Sequence, residues 1–195
     1  MQSYSLDLDQ INKIDQFLIE IKKYNAHTNI VGKSTLLRPW NSHVLDSIQI
    51  SNFIINKKSK ILDMGTGAGL PGIILAINNF SNISLIDSNI KKINFLNFIS
   101  DKLNIRVKIY HQRIESLLNT KFDFLISRAL SKLNKLLTYS YRFLKKDTQL
   151  VFLKGLKVDD EIVEAKKTWN FEYDEHKSIS DKRGKIIIIR NLKKI

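Results

Sequence analysis

Asp63, Gly65, Gly67, Gly69 and Gly72 stand close together directly after the apolar pair Ile61-Leu62, and no other stretch of the chain is so costly to build without a ligand in view. Glycine gives up more backbone freedom on folding than any other residue, so glycines clustered beyond a buried strand imply close backbone approach to another group. A nucleotide-like cofactor fits that description. In an open parallel sheet the ligand lies beyond the carboxyl ends of the strands, where strand order reverses, and the first strand-to-helix turn borders that point. The helix that follows is expected to offer free backbone N–H groups to an anionic or carboxylate-bearing ligand. Asp87 closes the next strand about 20 residues further on, where a carboxylate can accept hydrogen bonds from both hydroxyls of an adenosine ribose.

The spacing alone does not name the cofactor. Gly67-x-Gly69-x-x-Gly72 also satisfies the dinucleotide fingerprint, and a glycine-rich turn holding nothing is the plainer alternative. Asp63 before the loop, Pro71 at the start of the following helix and a chain too short for a separate substrate domain all weigh against a nicotinamide or flavin enzyme. His43 and Asp46 lie three apart on one helical face, with Ser47 four from His43; spacing by itself makes these an intrahelical hydrogen-bonded set. His27, His111 and His176 fall on unrelated elements without metal-ligand spacing, so no metal is expected.

These residues need a scaffold, and the pattern of the chain supplies one. Leu8, Ile11, Ile14, Leu18 and Ile21 recur at helical spacing over residues 6–24, and Asp7 with Gln10 has the form of a capping box. A short helical piece near Ser34 stops at Pro39, and another helix is expected from about Asn41 to Ile55. Residues 1–56 thus read as an N-terminal helical cap, joined through Asn56-Lys57-Lys58-Ser59 to a core over 57–195, the whole making one compact unit. In the core, apolar strands at 60–64, 83–87, 106–110, 122–127 and 149–154 alternate with helices near 71–79, 89–103, 131–145 and 158–167, the pattern of a parallel sheet with crossover helices. Strands at 171–177 and 185–191 face each other across Asp181-Lys182-Arg183-Gly184; so short a connection makes them antiparallel, and the α/β sheet ends in a hairpin.

Composition narrows the function further. The 195 residues suit one domain with a full core. They hold no apolar run of the roughly 18 residues that a membrane span needs. Met1-Gln2-Ser3-Tyr4-Ser5 lacks the layout of a signal peptide, so a soluble, cytoplasmic protein with no membrane partner is expected. The absence of cysteine removes disulfides, thiolate zinc sites and every mechanism that attacks through sulfur. A net charge of +13 favours a polyanionic partner such as nucleic acid, although 25 lysines against 7 arginines is also what a codon-biased genome supplies irrespective of function.

Asp63-x-Gly65-x-Gly67-x-Gly69, followed by an acidic residue closing the next strand, resembles motif I and the ribose-binding position of the Rossmann-like class I S-adenosylmethionine-dependent methyltransferases, whose sheet also ends in a hairpin. The likeness sharpens with the segments Gly65-Thr66-Gly67-Ala68-Gly69-Leu70-Pro71-Gly72-Ile73, Ile86-Asp87-Ser88-Asn89-Ile90-Lys91-Lys92 and His43-Val44-Leu45-Asp46-Ser47. Together with Arg113-Ile114-Glu115, Ser127-Arg128-Ala129 and Leu153-Lys154-Gly155 they resemble the bacterial small-subunit (16S) ribosomal RNA guanine-N7 methyltransferases, the glucose-inhibited division protein B family. Two positions depart from it. Tyr24 stands where relatives often carry tryptophan, and Ala68 where they commonly carry proline.

The resemblance implies S-adenosylmethionine as cofactor and 16S ribosomal RNA or the small subunit as partner; a monomer is expected. It implies cofactor contacts at Gly65, Gly67, Gly69, Leu70, Asp87, Ile114, Glu115 and Arg128, and Ser88, next to Asp87, is a further candidate. Arg128 would also meet guanine or phosphate, Lys154 would steady the base, and the helix bearing His43 and Asp46 would close over the pocket. Lys91 and Lys92, Lys57, Lys58 and Lys60, and Lys182, Arg183 and Lys185 are candidates for contact with the RNA backbone. Guanine N7 presents an exposed lone pair, so transfer from a sulfonium needs alignment rather than a general base, which fits a chain without a nucleophile–base pair. Carbon-5 methylation through a cysteine adduct is excluded, and no Asn-Pro-Pro-aromatic tetrapeptide marks an amino-group target. Two alternatives remain open on sequence: the same fold acting on another RNA, a protein or a small molecule, and a non-catalytic RNA-binding assembly factor.

Overall fold

The structure, a computed structural model, describes residues 4–118 and 120–195. The expectation about the first five residues therefore falls in part, at Met1-Gln2-Ser3, outside the described residues. Helix α1 (Leu8–Asn25) opens with the predicted capping box: Asp7 Oδ1 accepts from the Gln10 backbone N–H at 2.8 Å, and Gln10 Oε1 accepts from the Asp7 N–H at 3.0 Å. Its stripe of Ile14, Phe17, Leu18 and Ile21 is buried in the same apolar cluster as Ile73, Phe95 and Ile99. The cap and one face of the sheet thus share a core.

The helix expected over 41–55 is broken into three pieces. Residues 40–45 form a π turn, α2 spans only Asp46–Ile48, and a 3-10 turn follows over Gln49–Phe53. Side chains explain the irregularity in part: the Ser42 carbonyl is drawn to Arg128, and Ser51 Oγ bonds back to the Ile48 carbonyl at 2.6 Å. At the end of α1, Asn25 Oδ1 accepts from both Ile30 and Val31 N–H groups, turning the chain toward the sheet.

Seven strands form one sheet: β1 (Ile61–Met64), β2 (Ile83–Asp87), β3 (Lys108–His111), β4 (Phe124–Arg128), β5 (Gln149–Lys154), β6 (Trp169–Lys177) and β7 (Lys185–Lys194). Their order is β3-β2-β1-β4-β5-β7-β6, with β7 antiparallel to both neighbours and the rest parallel. Crossovers run through α3 (Gly72–Ile77), α4 (Ile90–Lys102), α5 (Leu133–Tyr141) and α6 (Val158–Ala165). With helices on both faces, β1 and β2 are buried along their whole length, which is why they read as mostly apolar runs rather than alternating ones. The expected class, a mostly parallel α/β sheet with a terminal antiparallel hairpin, is the one observed. At the edge, β6 carries exposed charged residues from Glu172 onward, which discourages pairing with another chain. Strand order reverses between β1 and β4, so their carboxyl ends define the crevice.

Candidate functional site

A cavity of about 1150 Å³ opens at that crevice, walled by the glycine turn, the ends of β4 and β5, the cap around His43, and the hairpin loop. It brings together Gly65, Gly67, Leu70, Arg128, His43, Asp46 and Lys154 of the residues expected from sequence. Gly69, Asp87, Ser88, Ile114 and Glu115 do not line it. Asp87 stands one bond away, accepting from Gly67 N–H at 3.0 Å and from Asn89 N–H at 2.9 Å, with the Lys92 ammonium 3.6 Å off. Ser88 and Glu115 are exposed. Ile114 packs in the apolar cluster on the other face of the sheet, and the Glu115 carbonyl accepts from Arg142.

The glycines divide by what surrounds them. A Cβ built on Gly65, Gly69 or Gly72 would lie 2.3 Å from Leu130, Ile73 or Leu85 respectively, so the protein's own packing already demands glycine at these three. Gly67 differs: it holds φ at +62°, and its Cβ would meet nothing nearer than Lys92 Nζ at 3.9 Å. A left-handed residue with open space in front of it is the cradle through which a ligand can approach the backbone. That fits an adenosyl cofactor beside Asp87.

The helix N-terminus contributes less than expected. Gly72 N–H donates to Asp63 Oδ2 at 2.9 Å and Ile73 N–H to the Gly69 carbonyl, so these N–H groups of α3 are spent inside the protein. Asp63, fully buried, also accepts from Thr66 Oγ1 at 2.6 Å, while its Oδ1 has no partner among the described residues. Burial pushes its carboxyl up to about 6 despite those two hydrogen bonds. Asp63 is thus the internal brace of the turn.

Arg128 is the last residue of β4 rather than the first after it, and it joins the sheet to the cap. Its Nη1 donates to the Ser42 carbonyl at 2.7 Å and to Asp46 Oδ2 at 3.2 Å, and its Nη2 lies 3.5 Å from His43 Nδ1. His43 and Asp46 therefore meet through Arg128 rather than as an intrahelical pair. His43 is fully buried; burial, and then the Arg128 charge, hold its imidazole down at about 4, so it is neutral at pH 7. With Nδ1 facing a guanidinium, the proton belongs on Nε2, which has no partner among the described residues. Lys154, by contrast, is held by the Ser131 carbonyl at 2.9 Å and Glu161 Oε2 at 2.5 Å. That placement steadies the segment after β4 and leaves little of its ammonium for a nucleobase.

Three lysines expected near RNA sit elsewhere. Lys57, Lys58 and Lys60 lie at the amino end of β1, across the sheet from the cavity; Lys57 bonds the Asn78 carbonyl at 2.8 Å and Lys60 Nζ stands over the Phe122 ring. Residues that spacing did not reveal are Gln49, Ser178 and Ser180, which interlock around Asp46, because nothing local marks a glutamine whose partners lie 129 to 131 positions away. His27, His111 and His176 are exposed, and no group of three metal-ligating side chains occurs among the described residues.

Sheet order, terminal hairpin and glycine turn together are those of the class I S-adenosylmethionine-dependent methyltransferase fold. A ribosomal protein L11 methylase from Lactobacillus delbrueckii subsp. bulgaricus shares the fold at a TM-score of 0.59 and 16% identity, covering 74% of this chain and 75% of its own. So does a tRNA (uracil-54, C5)-methyltransferase from Pyrococcus abyssi solved with S-adenosyl-L-homocysteine, at a TM-score of 0.53 and 17% identity over 73% of this chain and 37% of its own. Sequence carries the likeness further. A protein named ribosomal RNA small subunit methyltransferase G from Rickettsia prowazekii (strain Madrid E) is 38% identical over 95% of this chain and 96% of its own length. The family pattern described as GidB, rRNA small subunit methyltransferase G, matches residues 10–192, and the chain belongs to that family.

Proposed function

We propose that this enzyme methylates N7 of one guanosine in 16S ribosomal RNA, with S-adenosylmethionine as donor. The observation that carries the reading is the cavity at the β1/β4 reversal, where the open Gly67 cradle, braced from behind by Asp87, faces a wall of cap residues fixed by Arg128. When bound, the cofactor supplies an activated methyl group on a sulfonium. Gly65, Gly67, Gly69 and Leu70 would shape its seat, Asp87 would take the ribose hydroxyls through acceptor positions left free by Gly67 and Asn89, and Ser88, Ile114 and Glu115 would border its outer edge. Asp46 and Ser42 hold Arg128 at the cavity wall, where its remaining N–H donors can orient an incoming base or phosphate.

The site is arranged for alignment rather than proton transfer. Burial and the Arg128 guanidinium oppose the positive charge that a proton would place on His43, and Asp63 is locked inside the turn, so neither is suited to take a proton from a substrate. Guanine N7 asks for none, because its lone pair attacks directly. On this reading the cap through residue 56 is the half of the protein that seats the base, and the core from residue 57 is the half that seats the cofactor. The base must leave its stack to enter, and few aromatic side chains line the cavity to drive it, so RNA shape or an assembled subunit would contribute.

The deciding experiment supplies purified protein and S-adenosylmethionine to small subunits from cells lacking the gene, followed by mass mapping of the RNA. One new 7-methylguanosine is expected. Methyl transfer to another molecule, or to none, would overturn the assignment.

A further inference from the structure

The cations around the cavity fall into two groups. Lys92, Arg128, Lys154, Arg183 and Lys185 each face a carboxylate of the protein, at distances from 2.5 to 3.6 Å. Arg38 and Lys182 also wall the cavity, are exposed, and have no carboxylate within ion-pair reach among the described residues. Paired cations are largely neutralised locally, whereas an unpaired cation at the mouth of a cavity attracts the nearest polyanion.

Lys182 rides on the hairpin loop, residues 178–184, and that loop is tied down by an unusual device. Gln49 is 2% exposed and spends its side-chain amide on the loop: Oε1 accepts from Ile179 N–H at 3.0 Å, and Nε2 donates to Ser178 Oγ at 3.0 Å. Asp46 completes the lock by accepting from Ser180 Oγ at 2.7 Å on one oxygen while its other oxygen holds Arg128. Within the loop, Ser178 N–H bonds the Gly184 carbonyl and Gly184 N–H bonds the Asp181 carbonyl. A buried glutamine needs every one of its bonds, so the loop cannot swing away without stranding polar groups.

Resting on the RNA reading above, we infer that this loop is a fixed acceptor clamp, which Gln49 as a positioning residue locks to the cap so that Lys182, together with Arg38, grips the ribose-phosphate strand around the target guanosine. The cations that grip the flanking strand are then the unpaired ones at the mouth, with Arg128 reserved for the base at the cavity wall, and the numerous lysines elsewhere are not needed. Arg38 precedes Pro39 in the cap and Lys182 sits in the final hairpin, so the grip spans both parts of the chain.

The test compares wild type with Arg38→Ala/Lys182→Ala, Gln49→Ala and Ser180→Ala, measuring KM for gene-deletion small subunits, binding of RNA across a salt series, and S-adenosylmethionine affinity by calorimetry. Losing two phosphate contacts should lower the slope of log affinity against log salt by about 1.4 and raise KM roughly tenfold. Cofactor affinity should not move. Gln49→Ala should reproduce the KM rise with about half that loss of slope, a change that general destabilisation would not produce. Ser180→Ala, which only trims the loop side of the lock, should shift KM in the same direction if Gln49→Ala proves too unstable to assay. Wild-type KM and slope in the double variant would overturn the clamp. Failure of wild type itself to methylate the RNA would instead overturn the functional reading beneath it.

Discussion

Replacing Gly67 and Gly69 one at a time by alanine separates a ligand cradle from a packing constraint. Both hold φ in the left-handed region, at +62° and +91°, so either substitution carries a backbone penalty of about 1–2 kcal/mol. At Gly67 that is the whole cost, because the new methyl group meets nothing closer than 3.9 Å. At Gly69 the methyl group would sit 2.3 Å from Ile73 and 2.9 Å from Leu96, adding an overpacking cost of about 1–3 kcal/mol. For a chain of this length each kcal/mol moves Tm by about 2–4 °C. Gly67→Ala is therefore expected to melt about 2–8 °C lower, and Gly69→Ala about 4–20 °C lower, in the ligand-free state. Calorimetric titration should rank them the other way per degree lost: Gly67→Ala stays folded yet loses at least tenfold in S-adenosylmethionine affinity, since its methyl group points where the ligand must come. Undiminished cofactor affinity in a folded Gly67→Ala protein would refute the cradle.

Arg128→Ala should cost about 1–3 kcal/mol of stability, because the Ser42 carbonyl and Asp46 lose a shared charged donor, and should cut kcat/KM on small subunits at least tenfold. Arg128→Lys should not rescue turnover, since one ammonium cannot serve two directions at once; full activity in that variant would show the fork to be unnecessary. His43 and Asp63 make opposed contributions to stability against pH. Below 6.5 the unfolded histidine takes up a proton that the native one, with its pKa near 4, refuses, so this residue adds about 3 kcal/mol as pH rises from 4 to 6.5. Asp63 holds its proton in the native state up to about 6 against 3.8 when unfolded, so it removes about 3 kcal/mol over nearly the same window. Asp63→Asn should expose the histidine's contribution as a climb in urea-unfolding stability between pH 4 and 6.5, and a flat profile there would contradict the pairing.

Strands were legible in the sequence because burial on both faces leaves mostly apolar runs, and β2 and β5 fall where the pattern put them. The cap was harder. A helix over 41–55 is what its residue types favour locally, but Arg128, distant in sequence, takes the Ser42 carbonyl and the segment becomes a π turn and two short pieces. The glycine turn could be found from spacing, since the left-handed backbone at Gly65, Gly67 and Gly69 limits residue choice there, and Asp87 could be found from its place at the end of β2. What spacing could not disclose is which glycines answer to packing and which face open space. It also could not show that Lys154 would be claimed by Glu161, or that Gln49 would bond a loop far along the chain. Long-range polar partnerships leave no periodic trace.

The position of β7 has a consequence for how the protein comes into being. It follows every other element of the sheet in the chain, yet it lies inside, between β5 and β6, and its run Ile186–Ile189 is buried. A chain growing from its amino end can assemble the glycine turn, Asp87 and the cap while β5 still shows a bare rim and the hairpin loop does not exist. The cavity wall that the hairpin loop supplies is thus complete only once β7 has been threaded between its neighbours.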